Sequence, residues 1–165
     1  MIFYSELKNA PHFDTSNWTS VCDLTLSLKQ VLWVDCGLRV AINEDQCRKA
    51  FQYFMKLLNE KTYGNAFRRH GKQLKVIPVV EKSRMGRFHL HAAIEPPKHI
   101  PNERFRELVE ECWSRTDWGY RKTKIRFNAD QGWVDYMLKE NQKSGFEAWS
   151  DCIDWNSFYN PIADA

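Results

Sequence analysis

Residues 74–94, LKVIPVVEKSRMGRFHLHAAI, contain two runs rich in β-branched and aromatic residues, separated by a short turn-like stretch. This pattern predicts an antiparallel hairpin with strands at Leu74–Glu81 and Arg87–Ile94, joined through KSRMG. Pro78 has no backbone N–H to donate, so it indicates that the first strand lies at a sheet edge or at a bulge. The hairpin supplies two strands of the predicted sheet.

Two further strands and two helices flank this hairpin. Val21–Leu28 (VCDLTLSL) alternates apolar and polar residues, which is typical of a half-buried strand. Tyr120–Asn128 (YRKTKIRFN) alternates in the same way and places its basic residues on one face. A helix is predicted from Asn43, where an N-cap and a glutamine three residues later precede apolar residues at helical spacing. A second helix is predicted to begin near Pro101.

The order of these elements is β-α-β-β-α-β, followed by an appended C-terminal helix at roughly residues 130–142. This order predicts an α+β, ferredoxin-like fold, in which an antiparallel sheet of four strands carries both main helices on one face. The other face is expected to stay open, with the polar residues of each strand pointing into it. We expect residues 1–165 to form one domain, with a motif-bearing core at 21–142 and a tail at 143–165.

The composition excludes several classes of protein. Of the 165 residues, 43% are hydrophobic, 27% are charged and 14% are aromatic, which is typical of a globular domain rather than a disordered chain or a coiled coil. No apolar stretch is long enough to cross a bilayer, so no membrane partner is expected. The formal net charge of +3 is too small to indicate a nucleic-acid partner by itself.

The cysteines indicate a reducing environment. They are scattered without a C-x-x-C pair, and their odd number argues against a complete disulfide framework. The N-terminal sequence MIFYSELKNAPHFD lacks the basic end and the unbroken apolar core of a signal peptide. The chain is therefore expected in the cytoplasm of its host cell, or in the nucleus if that host is eukaryotic. Buried, reduced packing residues are expected at Cys22, Cys36, Cys47, Cys112 and Cys152.

Three side chains of the predicted hairpin could share one ion. His89 and His91 are two residues apart on one strand, so both imidazoles leave the same face about 7 Å apart. If the register pairs Glu81 with His89, the carboxylate lies on that face as well. Two nitrogens and an oxygen suit Mn²⁺ or Mg²⁺, and could also take Zn²⁺, Co²⁺ or Ni²⁺. The alternatives are a pair of solvated histidines and an exposed carboxylate at a strand end.

Tyr136 lies on the predicted C-terminal helix, away from the centre of its apolar side. Lys139 is one turn further along on the same side. A cation beside a phenol favours the phenolate, so Tyr136 could act as a nucleophile. The alternative is an amphipathic packing residue, which is the usual role of a tyrosine at the edge of a helix.

Three motifs, CDLTLSL, VVEKSRMGRFHLHAAIE and WVDYMLKE, occur in this order along the chain. The order resembles that of the HUH endonucleases, the rolling-circle replication initiators of small plasmids and viruses, over about residues 21–142. The resemblance implies that His89 and His91 are metal ligands and that Glu81 is a third, carboxylate ligand. It also implies that Tyr136 and Lys139 form the tyrosine-x-x-lysine of the third motif. The first motif departs from the family because no aromatic residue flanks its LTL core.

The resemblance implies a single-tyrosine nickase for single-stranded DNA that uses Mn²⁺ or Mg²⁺. Tyr136 would attack in line, leaving a 5′-phosphotyrosine and a free 3′-hydroxyl that primes synthesis, and a second 3′-hydroxyl could rejoin the ends. The sequence has no G-x-x-x-x-G-K-[ST] loop. Unwinding is therefore expected from a separate helicase and synthesis from a host polymerase, and the oligomeric state is left open.

Basic residues on the open face and on the hairpin are candidates for holding single-stranded or hairpin origin DNA, because they could neutralise phosphates. The alternative is a solvated basic strand. These candidates are Arg84, Arg87, Lys122, Lys124 and Arg126.

Two other functions fit parts of the pattern. A non-catalytic RNA-recognition-like domain shares the order of elements, but it would carry exposed aromatic residues on its central strands. This chain has histidines and small polar residues there instead. A single-tyrosine transposase resembles the chain in its histidine pair and helical tyrosine. Such transposases tend to carry a glutamine one turn after the tyrosine, a position that Glu140 occupies here.

Overall fold

The structure is a computed structural model that describes Thr15 and residues 18–134. Strands β4, β5, β1 and β6 form, in that order, one sheet in which each neighbouring pair is antiparallel. Strands β2 and β3 pair with each other in a separate two-stranded sheet. The elements are, in chain order, β1 (Val21–Leu28), β2 (Val31–Val34), β3 (Leu38–Ala41), α1 (Glu44–Tyr63), α2 (Asn65–His70), β4 (Val76–Lys82), β5 (Phe88–Ile94), α3 (Asn102–Ser114) and β6 (Gly119–Ala129).

The main sheet confirms the predicted α+β, ferredoxin-like architecture. Its strands follow the predicted order along the chain, with α1 between β1 and β4 and α3 between β5 and β6. Strand β4 lies at an edge of the sheet, which accommodates Pro78 as predicted. Strands β4 and β5 pair with Glu81 directly opposite His89, which is the register that the metal-site prediction requires.

Helix α1 begins and ends at the predicted signals. The Asn43 side chain accepts a hydrogen bond from the backbone N–H of Gln46 at 2.9 Å, and the Gln46 side chain accepts one from the backbone N–H of Asn43 at 3.0 Å. This reciprocal capping box satisfies two backbone donors that the helix leaves unpaired. The helix ends at Gly64, whose φ of 51° is readily adopted only by a residue without a side chain.

Helices α1 and α3 pack on one face of the sheet and bury the main core against it. The Phe54 and Trp113 rings meet edge to face, with centroids 5.6 Å apart. Trp113 also donates its indole N–H to the backbone oxygen of Ser27 at 2.9 Å, which ties α3 to β1. The sheet contributes alternate residues of its two central strands, namely Cys22, Leu24, Leu26 and Leu28 from β1 and Phe88, Leu90, Ala92 and Ile94 from β5.

The face opposite the helices is only partly open, which corrects the prediction that it is open throughout. Ile77, Val79 and Ala93 point to this face by strand alternation, yet all three are buried. Strand β4 carries a continuous apolar run at 76–80, so both of its faces need cover from solvent. Trp18 and Val134 are buried and lie outside the main core, so they are available to cover this half of the face.

The remainder of this face is polar. It consists of Glu81 on β4, His89 and His91 on β5, and Thr25 and Ser27 on β1, which we call the polar patch. All of these residues except Glu81 are half-buried, and Glu81 is exposed. The apolar cover therefore stops where the polar patch begins.

Residues 31–41 form a second hairpin, which we call the arm, where the sequence predicts no strand. Each of its two strands is only four residues long, too short to give a clear periodic signal. A 3-10 turn at Asp35–Gly37 joins them, with Cys36 at a φ of 76°. Cys36 is exposed, so its predicted burial is wrong. Burial is confirmed for Cys22, Cys47 and Cys112, and Cys152 lies outside the described residues.

The predicted C-terminal helix starts where the sequence indicates. Residues 131–134 are helical, and Asp130 caps them by accepting a hydrogen bond from the backbone N–H of Trp133 at 2.8 Å. The Gln131 side chain bonds to Thr15, at 3.1 Å from its backbone N–H and also with its hydroxyl. Within the described portion, no helix is both long and apolar enough to span a membrane.

Candidate metal centre and nucleic-acid interface

Strand alternation directs His89 and His91 into the polar patch. The residues between and beside them, Phe88, Leu90 and Ala92, point into the core, so β5 is fixed by packing on one side and polar on the other. The register confirms the predicted arrangement, since Glu81 lies opposite His89. On the other side of β5, Thr25 of β1 lies opposite His91.

His91 makes two polar contacts across the sheet. Its Nε2 atom lies 2.9 Å from Glu81 Oε2, and its Nδ1 atom lies 3.3 Å from Thr25 Oγ1. If Nδ1 carries the proton and donates it to the threonine hydroxyl, the lone pair on Nε2 faces Glu81. This is the tautomer that a metal-binding imidazole needs, with the second ring nitrogen held by a neighbour.

The donor set of the polar patch fits a hard or borderline divalent ion. One carboxylate and two imidazoles make a mixed oxygen and nitrogen set of the kind that binds Mn²⁺, and Mg²⁺ with water completing its shell. The structure brings Glu81 and His91 into contact. Within the described residues, however, no three His, Cys, Asp or Glu side chains surround a common metal position. No hydrogen bond or ion pair there fixes the His89 imidazole, which shares the face and lies across from Glu81.

Asp23 lies on the same face of β1, towards the apolar half. Its Oδ2 atom lies 3.1 Å from Nη2 of Arg126, while its Oδ1 atom is buried with no hydrogen-bond partner in the described part of the chain. Burial raises the pKa of the Asp23 carboxyl, and the positive charges of Arg126 and His91 oppose that rise. The ion pair holds the Arg126 guanidinium against the sheet.

The five predicted DNA-binding residues are all exposed and fall into two groups. Arg84 and Arg87 lie on the turn between β4 and β5, at the end of the hairpin that carries Glu81. On β6, the three predicted basic residues alternate with half-buried or buried residues that face the helices, as the sequence predicts. These three are Lys122, Lys124 and Arg126.

Lys124 is placed in line with the polar patch. It pairs with Thr25, and Thr25 pairs with His91 on the opposite side of β1. Neighbouring strands are about 4.8 Å apart, so the Lys124 and His91 backbones are separated by about 10 Å. A nucleic-acid strand that crosses the sheet at His91 would therefore meet a cation on β6.

Tyr136 and Lys139, the predicted nucleophile and its cation, lie outside the described residues. Two of the site's other contacts were not predicted. The alternation of β1 places Thr25 on the correct face, but which histidine it contacts depends on a pairing between strands that are distant in sequence. Gln30 bonds to both backbone groups of Phe88, at 2.8 and 2.9 Å, and so fixes the start of β5 beside His89. A single glutamine after a strand gives no signal of such a role.

Comparison with known proteins gives one match. A family model for the replication-associated protein ORF2 matches residues 23–145, which include the polar patch, both groups of basic residues and the Tyr136 and Lys139 positions. No curated protein and no solved structure is significantly similar to the chain. Because the match covers most of the sequence, the chain belongs to this family of replication-associated proteins.

Proposed function

We propose that this chain is a single-tyrosine HUH endonuclease that nicks and rejoins single-stranded DNA at an origin and so initiates rolling-circle replication. The observation that carries the proposal is the contact between Glu81 and His91, with His89 opposite Glu81 on the same polar patch. Membership of a replication-associated family supports a role in replication. The exposed basic residues beside the patch support a nucleic-acid substrate.

Glu81, His89 and His91 would hold one Mn²⁺ or Mg²⁺ ion, which when bound withdraws charge from the scissile phosphate and orients it. Thr25 would keep the His91 imidazole in the ligating orientation through its contact with Nδ1. Lys124 would bind a phosphate of the strand next to the cleaved position, since it lies in line with His91 across the sheet.

Tyr136 would supply the nucleophile. Its phenolate oxygen would bond to phosphorus as the P–O3′ bond breaks, and the departing oxygen would take up a proton to become the 3′-hydroxyl. Lys139, one turn further along the predicted helix, would favour the phenolate form. The phosphodiester energy is conserved in the tyrosine link, so attack by a 3′-hydroxyl would rejoin the ends without ATP. A separate helicase and a host polymerase would complete replication.

The length of the C-terminal segment supports this assignment. Ala129 at the end of β6 pairs with Val21, and Thr25 lies four residues further along β1, about 13 Å away. A helix rises about 1.5 Å per residue and covers that distance in about nine residues. Asp130 and Lys139 are separated by that number of residues, so a helix laid back across the face would carry Tyr136 towards His91.

The two alternative functions are less well supported. The face of β1 and β5 that an RNA-recognition-like domain would use for stacking carries no aromatic residue along these two fully described strands. A transposase would use the same chemistry, but a replication-associated family favours an initiator.

The proposal is tested by trapping the covalent intermediate. The full chain is incubated with Mn²⁺ and a pool of single-stranded DNA labelled at the 3′ end, and the products are separated under denaturing conditions. We expect labelled protein from the wild type, none from Tyr136→Phe and the wild-type amount from Tyr53→Phe, an exposed tyrosine on α1. An adduct that persists in Tyr136→Phe contradicts the nucleophile, and a wild type that forms none contradicts the function.

A further inference from the structure

The arm, residues 31–41, exposes more apolar surface than a solvated hairpin needs. Trp33 is 69% exposed and Leu38 is 65% exposed, and Val31 and Val34 are also exposed. Its two strands hydrogen-bond only to each other, outside the main sheet. Exposed apolar clusters of this kind mark interaction sites in proteins that are otherwise well packed.

One face of the arm combines an aromatic ring with a cation. Trp33 and Arg39 are cross-strand partners, and the Arg39 guanidinium lies 5.1 Å from the centre of the Trp33 ring. Both side chains are exposed. A flat indole beside a guanidinium is the combination that binds single-stranded nucleic acid, because the ring stacks on a base and the cation contacts a phosphate.

The arm is anchored at the end of the sheet that carries the polar patch. It begins two residues after β1, and the backbone N–H of Ile42 bonds to the backbone oxygen of Gln30 at 2.9 Å to close its base. Gln30 in turn bonds to both backbone groups of Phe88, the residue before His89. Trp33 is three residues from Gln30, so its backbone lies within about 10 Å of that anchor.

The charges around this anchor favour an anionic partner. The turn between β4 and β5, which carries Arg84 and Arg87, leaves the sheet at the same end. Arg39 adds a third exposed cation there, while the arm itself contains one acidic residue, Asp35. A protein partner that covered only the apolar residues would have to desolvate these cations as well, which a phosphate backbone does not require.

We propose that the arm is a stacking site for single-stranded DNA beside the cleavage site, in which Trp33 stacks on an unpaired base and Arg39 contacts the adjoining phosphate. This inference rests on the proposed function, since it assigns the arm to the strand that the polar patch would cut. The arm would hold bases a few nucleotides from the scissile phosphate, and so set where along the strand the nick falls.

The test measures DNA binding rather than cleavage, so that it depends neither on the metal nor on the nucleophile. A fluorescein-labelled thymidine oligonucleotide of about 16 nucleotides is titrated with the full chain carrying Tyr136→Phe, in the presence of a chelator, and its anisotropy is followed. We expect Trp33→Ala to weaken binding about 5- to 100-fold and Trp33→Phe, which still stacks, to retain most of it. Arg39→Ala should weaken binding less and lower its dependence on salt.

The matched control is Leu38→Ala, which removes a comparably exposed apolar side chain paired with Val34 on the other face of the arm. We expect it to bind DNA as the parent does. Binding that is unchanged in Trp33→Ala, or weakened equally in Leu38→Ala, overturns the stacking site and assigns the arm to another partner or to a structural role. A parent that binds no oligonucleotide overturns the proposed function as well, whereas a parent that binds and a Trp33→Ala that binds equally overturn only the arm.

Discussion

The β4–β5 hairpin has two ends of opposite character. At Val76–Val80 the strand is buried on both faces, by the helix-side core and by the cover on the opposite face. From Glu81 to Arg87 the chain is exposed or half-buried and carries the carboxylate and the cations of the candidate site. A slip of one residue in pairing would move every side chain of a strand to the other face. The buried end therefore sets the register that holds Glu81 opposite His89.

The same contrast recurs between adjacent residues of β5. Leu90 is fully buried in the core, and His91 is half-buried in the polar patch. If the comparison is right, changes at Leu90 should act through stability and changes at His91 through chemistry.

The largest effect is expected from His91→Ala. Removing the imidazole takes away the side chain that contacts both Glu81 and Thr25, so formation of the covalent DNA adduct should fall by more than about 100-fold. The free energy of unfolding should change by no more than about 0.5 kcal/mol, because the side chain is partly exposed. Adduct yield and urea denaturation measure the two quantities. His70→Ala, at an exposed histidine on α2, is the control and should change neither.

Leu90→Ala should give the opposite result. It leaves a cavity between the sheet and the helices and should lower the free energy of unfolding by about 2–5 kcal/mol, as measured by urea denaturation. Leu90→Met conserves volume and should cost less than about 1.5 kcal/mol. The folded fraction of Leu90→Ala should still bind Mn²⁺. A variant that keeps its stability but loses metal binding would show that the two sides of β5 are not separable.

Thr25→Val sharpens the comparison within the polar patch itself. The valine keeps the shape of the side chain but removes the hydroxyl that contacts Nδ1 of His91. We expect the affinity for Mn²⁺ to fall by about 10-fold in a calorimetric titration, since partners that orient a ligand usually contribute about 10- to 100-fold. Thr25→Ser retains the hydroxyl and should bind like the wild type. Equal affinities for the valine and serine variants would remove this role from Thr25.

The smallest effect concerns the thiols, which separate the core from the arm. Burial raises the pKa of Cys22 and Cys47 to about 12 and that of Cys112 to about 11, so at pH 8 all three remain protonated and enclosed. Cys36 is exposed on the arm. In a Cys152→Ser background, a thiol reagent at pH 8 should modify one site in the native protein, and Cys36→Ser should abolish that modification. Labelling of the buried thiols without denaturant would contradict the packing of the core.

The sequence predicts the parts of this molecule that depend on local periodicity. The alternation of VCDLTLSL and FHLHAAI, the capping box of α1 and the edge position of Pro78 each follow from neighbouring residues, and the structure confirms them. The cover over Ile77 and Val79 was not predicted, because it depends on segments far away in the chain. The arm was missed because its strands are short. The contact of Thr25 with His91 requires knowledge of which strands are neighbours.

The central claim is that the polar patch is a metal site, and direct titration with Mn²⁺ tests it. We predict that the full chain binds about one Mn²⁺ ion and that His89→Ala/His91→Ala loses this binding while keeping the wild-type unfolding transition. Glu81→Gln should bind with an intermediate affinity, because it retains both imidazoles. Mn²⁺ binding of equal stoichiometry and affinity in the double-alanine variant and in the wild type would contradict the account.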